Sequence, residues 1–186
     1  FELANAFAGE PLYALRLLSE QGGALPNSFG TTIDTRVLGR QRLDTLIVAG
    51  SLRPVPSSPE FLRQVRKAAA SARRVASVCT GAFILAEAGL LDGTRATTHW
   101  KYARELQQQM PRVRVVNDSA ENLGGQLRAC GREAADAILS GLPWANFSRE
   151  LQQRLLRAVV EGLRPGGRFA TFAYVPAAHF PPGRRF

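Results

Sequence analysis

The chain has 186 residues, 45% of them hydrophobic, and a formal net charge of +9 from 24 lysines and arginines against 15 acidic residues. That length suits one α/β domain burying roughly 70% of its unfolded surface and is tight for two complete domains. The longest apolar runs, such as residues 45–50, fall far short of the ~20 residues that span a bilayer, and no charged segment leads into an apolar one, so neither a transmembrane segment nor a signal peptide is expected.

Strand-like runs bounded by turn residues fall at 13–18, 44–49, 75–79, 113–117, 136–140 and 168–175. Between them, residues 59–74 place Phe61, Leu62, Val65, Ala68, Ala69 and Ala72 on one helical face. Residues 148–163 do the same with Leu151, Leu155, Leu156, Val159, Val160 and Leu163; Ser148 is the expected N-cap, and Gly162 and Pro165 the stop. Strands alternating with helices predict an α/β fold, a three-layer sandwich around a mostly parallel sheet of the Rossmann or flavodoxin-like kind, with strand order left open. No internal repeat interrupts this pattern. Both ends read as cut, with Phe1 in place of an initiator Met and Phe186 closing a basic, Pro-rich stretch.

The positive charge is almost wholly arginine, since Lys67 and Lys101 are the only lysines. The arginines are scattered and give no helix a continuous basic face, which favours a solvated surface over a nucleic-acid or lipid footprint. Cys79 and Cys130 show neither CxxC nor Cys/His metal spacing, and His99 and His179 do not complete one, so no metal site is expected and a reducing, cytoplasmic setting is the reading.

The densest chemical signal is the passage from Val75-Ala76-Ser77-Val78 into Cys79 and then Thr80-Gly81-Ala82-Phe83. A strand that ends, turns sharply and opens a helix is how a nucleophile elbow is written. A thiol there sits near the positive end of a helix, which favours thiolate. The Thr80 N–H, with amides at Gly50 and Ser51, is the candidate oxyanion hole. The alternative is that Cys79 is a small buried hydrophobe.

Those residues, with residues 1–5, 44–50, 88–93 and 95–100, resemble the ThiJ/PfpI superfamily, of class I glutamine-amidotransferase-like fold. The branch they resemble most is the sensor domain of AraC-type transcription regulators. The resemblance covers residues 1–112. It implies Cys79 as the elbow residue, Gly50, Ser51 and Thr80 as ligand-binding, His99 nearby, a small-molecule ligand, and an isonitrile hydratase as the enzymatic alternative. Thr80 stands where the superfamily's proteases place histidine, and the family's first strand and its acid would lie upstream of Phe1. A thiol without a base or orienting group is a poor catalyst, so a non-catalytic sensor is expected, without a DNA-binding segment after Arg112.

Residues 113–186 resemble the later part of a class I S-adenosylmethionine-dependent methyltransferase of the phospholipid N-methyltransferase group, through residues 115–123, 135–144, 163–169 and 171–175. The resemblance implies Asp118 at the adenine edge and Ser140, Gly141, Leu142 and Pro143 beside the transfer centre. The glycine-rich cofactor loop is missing, and neither Gly124-Gly125 nor Gly166-Gly167 replaces it; Leu163–Gly167 reads as a helix stop. The expectation is therefore a chain of two segments joined near residues 111–119, merged or separate. Its leading function is ligand sensing without a cofactor. The alternatives are a methyltransferase fragment binding S-adenosylmethionine and an inactive chimera. Missing strands would leave sheet edges open to homo-oligomerisation.

Overall fold

The computed structural model describes residues 5, 6, 8–27, 30–39 and 41–171. Expectations placed on residues 1–4, on 172–175, on His179 and on the Pro-rich tail lie outside the described residues. Two compact units divide the chain, Phe1–Asn117 and Asp118–Phe186.

In the first unit, β1 (Leu18–Ser19), β2 (Gly23–Pro26) and β3 (Thr32–Val37) form a ladder in the order β1-β3-β2. β4 (Thr45–Val48) runs through α1 (Pro59–Ser71) into its parallel partner β5 (Arg74–Ser77), and α2 (Gly81–Glu87) follows. β6 (Arg95–Ala96) crosses through a 3₁₀ turn (Trp100–Tyr102) and α3 (Ala103–Gln109) to its parallel partner β7 (Arg114–Val115). The second unit has a 3₁₀ turn (Ala120–Asn122), α4 (Leu123–Ala129), β8 (Ala135–Ser140), a 3₁₀ turn (Trp144–Asn146), α5 (Arg149–Gly162) and β9 (Leu163–Thr171), with β8 and β9 parallel. Among the described residues four of the five strand pairings are parallel, and only β2 runs against β3. The fold is α/β.

Local chemistry explains the helix limits. The Ser58 hydroxyl accepts from the Phe61 N–H at 3.0 Å, Pro59 opens the first turn, and Val65 and Ala68 carry the buried stripe. α1 stops short of the expected residue 74 because the Arg74 N–H donates to the Asp44 carbonyl at 3.0 Å, which commits it to the sheet. Ser148 caps α5 as expected, accepting from the Leu151 N–H at 3.3 Å. The buried face of α5, however, runs through Gln152, Leu155, Ala158 and Gly162, and leaves Leu156 and Val160 exposed.

Two strand expectations need correction. Of residues 13–18 only Leu18 enters a ladder; Tyr13 is instead held by the Asn5 side-chain amide, which donates to its carbonyl and accepts from its N–H, both at 2.8 Å. Extended backbone becomes strand only where a neighbour takes its hydrogen bonds. At the other end, β9 begins at Leu163 rather than 168, so Leu163–Gly167 is not simply a helix stop. Leu163 already pairs with Ala135, the register breaks before Arg168 pairs with Ala137, and Gly166 at φ +76° turns the bulge.

The first unit packs around α2, which is buried on opposing sides. Leu85 and Ala88 join Leu38, Leu46, Val48, Val65 and Ala68, while Ala82, Phe83 and Ala86 join Leu106 and Val113. A short helix whose first six residues are all apolar belongs in the interior, and this one carries the elbow at its start.

The starts of β4 and β5 are tied by Asp44. Arg73 donates to its two carboxylate oxygens at 2.7 and 3.0 Å, and Arg74 and the Thr45 hydroxyl add further bonds. The Arg73 guanidinium, then the Thr45 hydroxyl, hold the Asp44 carboxyl well below the usual carboxylate range. Because the folded pKa is depressed, the resulting stabilisation is present above the unfolded value near 4 and is lost as pH falls through the folded one. A carbon-detected NMR titration should find Asp44 still ionised where free aspartates protonate, and Arg73→Gln should bring its midpoint back up. Both groups are exposed, so high salt should narrow the difference.

Candidate functional site

The site forms where β4 and β5 end side by side. The Val78 N–H donates to the Val48 carbonyl at 3.0 Å, prolonging the pairing by one residue before the chain reverses into α2. Cys79 makes that reversal at φ +56°, the only positive φ of a non-glycine residue among the described residues. For an L-residue this left-handed conformation costs on the order of 1–2 kcal/mol. The Cys79 side chain is exposed, so it is not the buried hydrophobe of the alternative reading.

Two glycines allow the turn. A Cβ on Gly81 would lie 2.3 Å from the Val48 carbonyl oxygen, and one on Gly50 would lie 2.5 Å from the Thr80 hydroxyl and 2.7 Å from its nitrogen. The loop after β4 and the start of α2 therefore meet backbone to backbone. Thr80, 3% exposed, closes the contact: its hydroxyl donates to the Ser51 carbonyl at 2.7 Å and accepts from the Ser51 N–H at 2.8 Å.

This geometry brings Gly50, Ser51, Cys79 and Thr80 together and takes one amide, that of Ser51, out of the expected oxyanion hole. The Ser51 amide donates to a buried hydroxyl, so it does not point at a developing charge beside Cys79. The His99 Nδ1 accepts from the Lys101 N–H at 3.2 Å, starting the 3₁₀ turn, and the ring stacks on Trp100 with centroids 5.6 Å apart. No hydrogen bond joins His99 to Cys79 among the described residues. The neighbour that does reach the elbow is Thr98, whose hydroxyl donates to the Cys79 carbonyl at 3.0 Å, while the Tyr102 hydroxyl donates to the Leu52 carbonyl at 3.1 Å. Sequence reasoning missed both, because each contact spans many residues along the chain.

In the second unit, Asp118 accepts from the Ser119 N–H at 2.8 Å, from Asn122 at 2.7 Å and from Gln126. Bonds first from Asn122, then from Gln126 and Ser119, lower its pKa. All three donors come from the same short stretch of chain, residues 119–126. Ser140 is buried, and its hydroxyl accepts from the Leu142 N–H and the Trp144 indole N–H, both at 3.2 Å, while Gly141 and Pro143 lie exposed on the turn. The donors and acceptors expected to hold S-adenosylmethionine are thus taken up by their own segment, and Gly166-Gly167 forms a strand bulge rather than a cofactor loop. The residues present do not fit that cofactor.

Residues 28–125, just over half of the chain, match the DJ-1/PfpI family. The chain belongs to that family. The DJ-1/PfpI match runs through the predicted join at residues 111–119. The HTH-type transcriptional regulator CdhR of Pseudomonas aeruginosa is 31% identical over 167 residues, covering 88% of this chain and 49% of the regulator. The chain thus spans about half of that relative's length, and the alignment extends into the second unit. An AraC family transcriptional regulator from Pseudomonas putida superposes with a TM-score of 0.53 at 26% identity, covering 62% of this chain and 64% of that one. The methyltransferase resemblance rests on a shorter match, 38% identity over 72 residues to the ornithine lipid N-methyltransferase of Singulisphaera acidiphila, 39% of this chain and 38% of that enzyme. Among the described residues, no helix is long and apolar enough to cross a membrane.

Proposed function

We propose that the DJ-1/PfpI elbow of this chain binds a small molecule without turning it over, as the sensing part of a transcription regulator. One observation carries the non-catalytic half of this reading. The Thr80 hydroxyl engages both the N–H and the carbonyl of Ser51, which takes up one of the three candidate oxyanion donors, and among the described residues no base is hydrogen-bonded to Cys79. A nucleophile without a base, and with fewer donors for an oxyanion, is poorly equipped for acyl-transfer or hydration chemistry. The relationship to CdhR supports the regulatory half. Gly50, Ser51, Cys79 and Thr80 are the residues proposed to face the ligand.

The test uses the full chain carrying Cys130→Ser, since Cys130 is also exposed. Cys79 should be alkylated by a small electrophile, and a ligand that raises the melting temperature should slow that alkylation. Ester hydrolysis and isonitrile hydration should stay at the level of Cys79→Ser. Turnover that depends on Cys79 would overturn the reading in favour of an isonitrile hydratase or hydrolase. Cys79→Gly should be more stable than the parent by about 1 kcal/mol, because glycine adopts the left-handed conformation freely while adding some entropy to the unfolded chain.

A further inference from the structure

Away from the elbow, the first unit holds a half-open recess of about 270 Å³ between Arg66, Ala69 and Ala70 of α1, Val75 of β5, and Leu85, Leu90 and Leu91. Arg66 is the only one of these lining residues with a polar side chain. Arg66 has no hydrogen bond or ion pair among the described residues, whereas Arg63 on the same helix is paired with Glu60 and Arg73, just beyond its end, with Asp44. The chain places no acid between Glu60 and Glu87. The acids that flank this stretch are all engaged: Glu60 by Arg63, Glu87 by the Ser57 N–H, and Asp92 by Arg112. An unneutralised cation at the lip of an apolar recess is complementary to one kind of molecule, an alkyl chain ending in a negative charge. The volume lies just below the roughly 300–1,000 Å³ usual for drug-sized ligands, which limits the chain to a short one.

We propose that this recess binds a medium-chain monocarboxylate, with the alkyl chain against Val75, Leu85, Leu90 and Leu91 and the carboxylate on Arg66. The site is separate from the elbow and does not depend on the sensing function proposed there.

The experiment titrates octanoate, and 1-octanol as its uncharged counterpart, into the full chain with methyl resonances observed by NMR. Octanoate should shift the methyls of Val75, Leu85, Leu90 and Leu91 saturably, and octanol should bind at least tenfold more weakly. Arg66→Gln should weaken octanoate about tenfold, the scale of a charge-assisted hydrogen bond, and leave octanol unchanged; Arg66→Lys should retain part of the affinity. Ala70→Leu, which fills the recess from an exposed helix position, should abolish both while the melting temperature holds. Equal binding of octanol and octanoate, or shifts confined to other methyls, would overturn the proposal. Concentration-dependent association that covers these methyls without octanoate would assign the recess to a second copy of the chain instead.

Discussion

Gly81→Ala is expected to destabilise the protein by about 3 kcal/mol or more, at the upper end of what overpacking costs. The added methyl carbon would lie 2.3 Å from the Val48 carbonyl oxygen and 3.0 Å from the carbon bonded to it. Those are backbone atoms of β4, already fixed by pairing with β5, so no side-chain rotation relieves the overlap. The helix start must move away from the strand, and with it go the Thr80–Ser51 bonds and the left-handed turn at Cys79. Denaturant melts followed by circular dichroism measure the loss. Cys79 alkylation in the Cys130→Ser background should lose its protection by ligand in the same variant. Gly89→Ala is the control, since Gly89 has φ +74° but nothing within 4 Å of a Cβ. It should cost only about 1 kcal/mol, the conformational penalty alone. Equal losses at the two positions would refute the close-approach account of the elbow.

Trp144→Ala should cost the second unit roughly 3–5 kcal/mol, the usual range for emptying a buried aromatic position. Trp144 is 6% exposed and lies edge-on to Phe147 and Phe169, with centroids 6.3 and 6.0 Å away. Its indole N–H donates to the Ser140 hydroxyl, and its carbonyl accepts from Gln152, itself 6% exposed. Removing the ring opens a cavity between the end of β8 and α5, and leaves the Ser140 hydroxyl with one donor fewer. Trp144→Phe separates these effects. It keeps an aromatic ring but loses the N–H and part of the volume, so it should cost about 1 kcal/mol beyond the lost volume. Near-identical melts for the two variants would mean that packing of this ring contributes little.

The turn at Ser140–Trp144, which the methyltransferase resemblance sets beside a transfer centre, satisfies its own polar groups: serine accepts, tryptophan donates, and glycine and proline shape the exposed bend. A local polar motif and a binding motif use the same residue types, and only the partner of each donor distinguishes them. Asp118 makes the same point, since its neighbours Ser119, Asn122 and Gln126 supply the donors that a ligand would otherwise have supplied.

What the sequence determined by itself was whatever depends on near neighbours along the chain. Ser58 and Ser148 cap their helices because a hydroxyl three residues before an amide reaches it, whatever lies beyond. The apolar stripe of α1 fixes its inner face, alternating strands and helices fix the α/β class, and a strand entering Cys79-Thr80-Gly81 fixes the elbow. Tertiary structure decided what depends on partners far away in the chain. Residues 13–17 enter no ladder: the Asn5 amide, not a strand, meets Tyr13, and of this stretch only the Leu17 carbonyl takes a bond from β3. α5 buries Ala158 and Gly162 rather than Leu156 and Val160, because Gly162 lets Leu123 of α4 approach to a distance that a side chain would block. Leu163–Gly167 enters a strand because Ala135 offers it a parallel neighbour. At the elbow, the sequence supplied a cysteine at a sharp turn, but the contact of Thr80 with Ser51, 29 residues away, decided that the amide beside it is occupied. Short-range geometry is written in spacing, whereas the hydrogen-bond partner of a buried hydroxyl is set only when distant segments of the chain pack together.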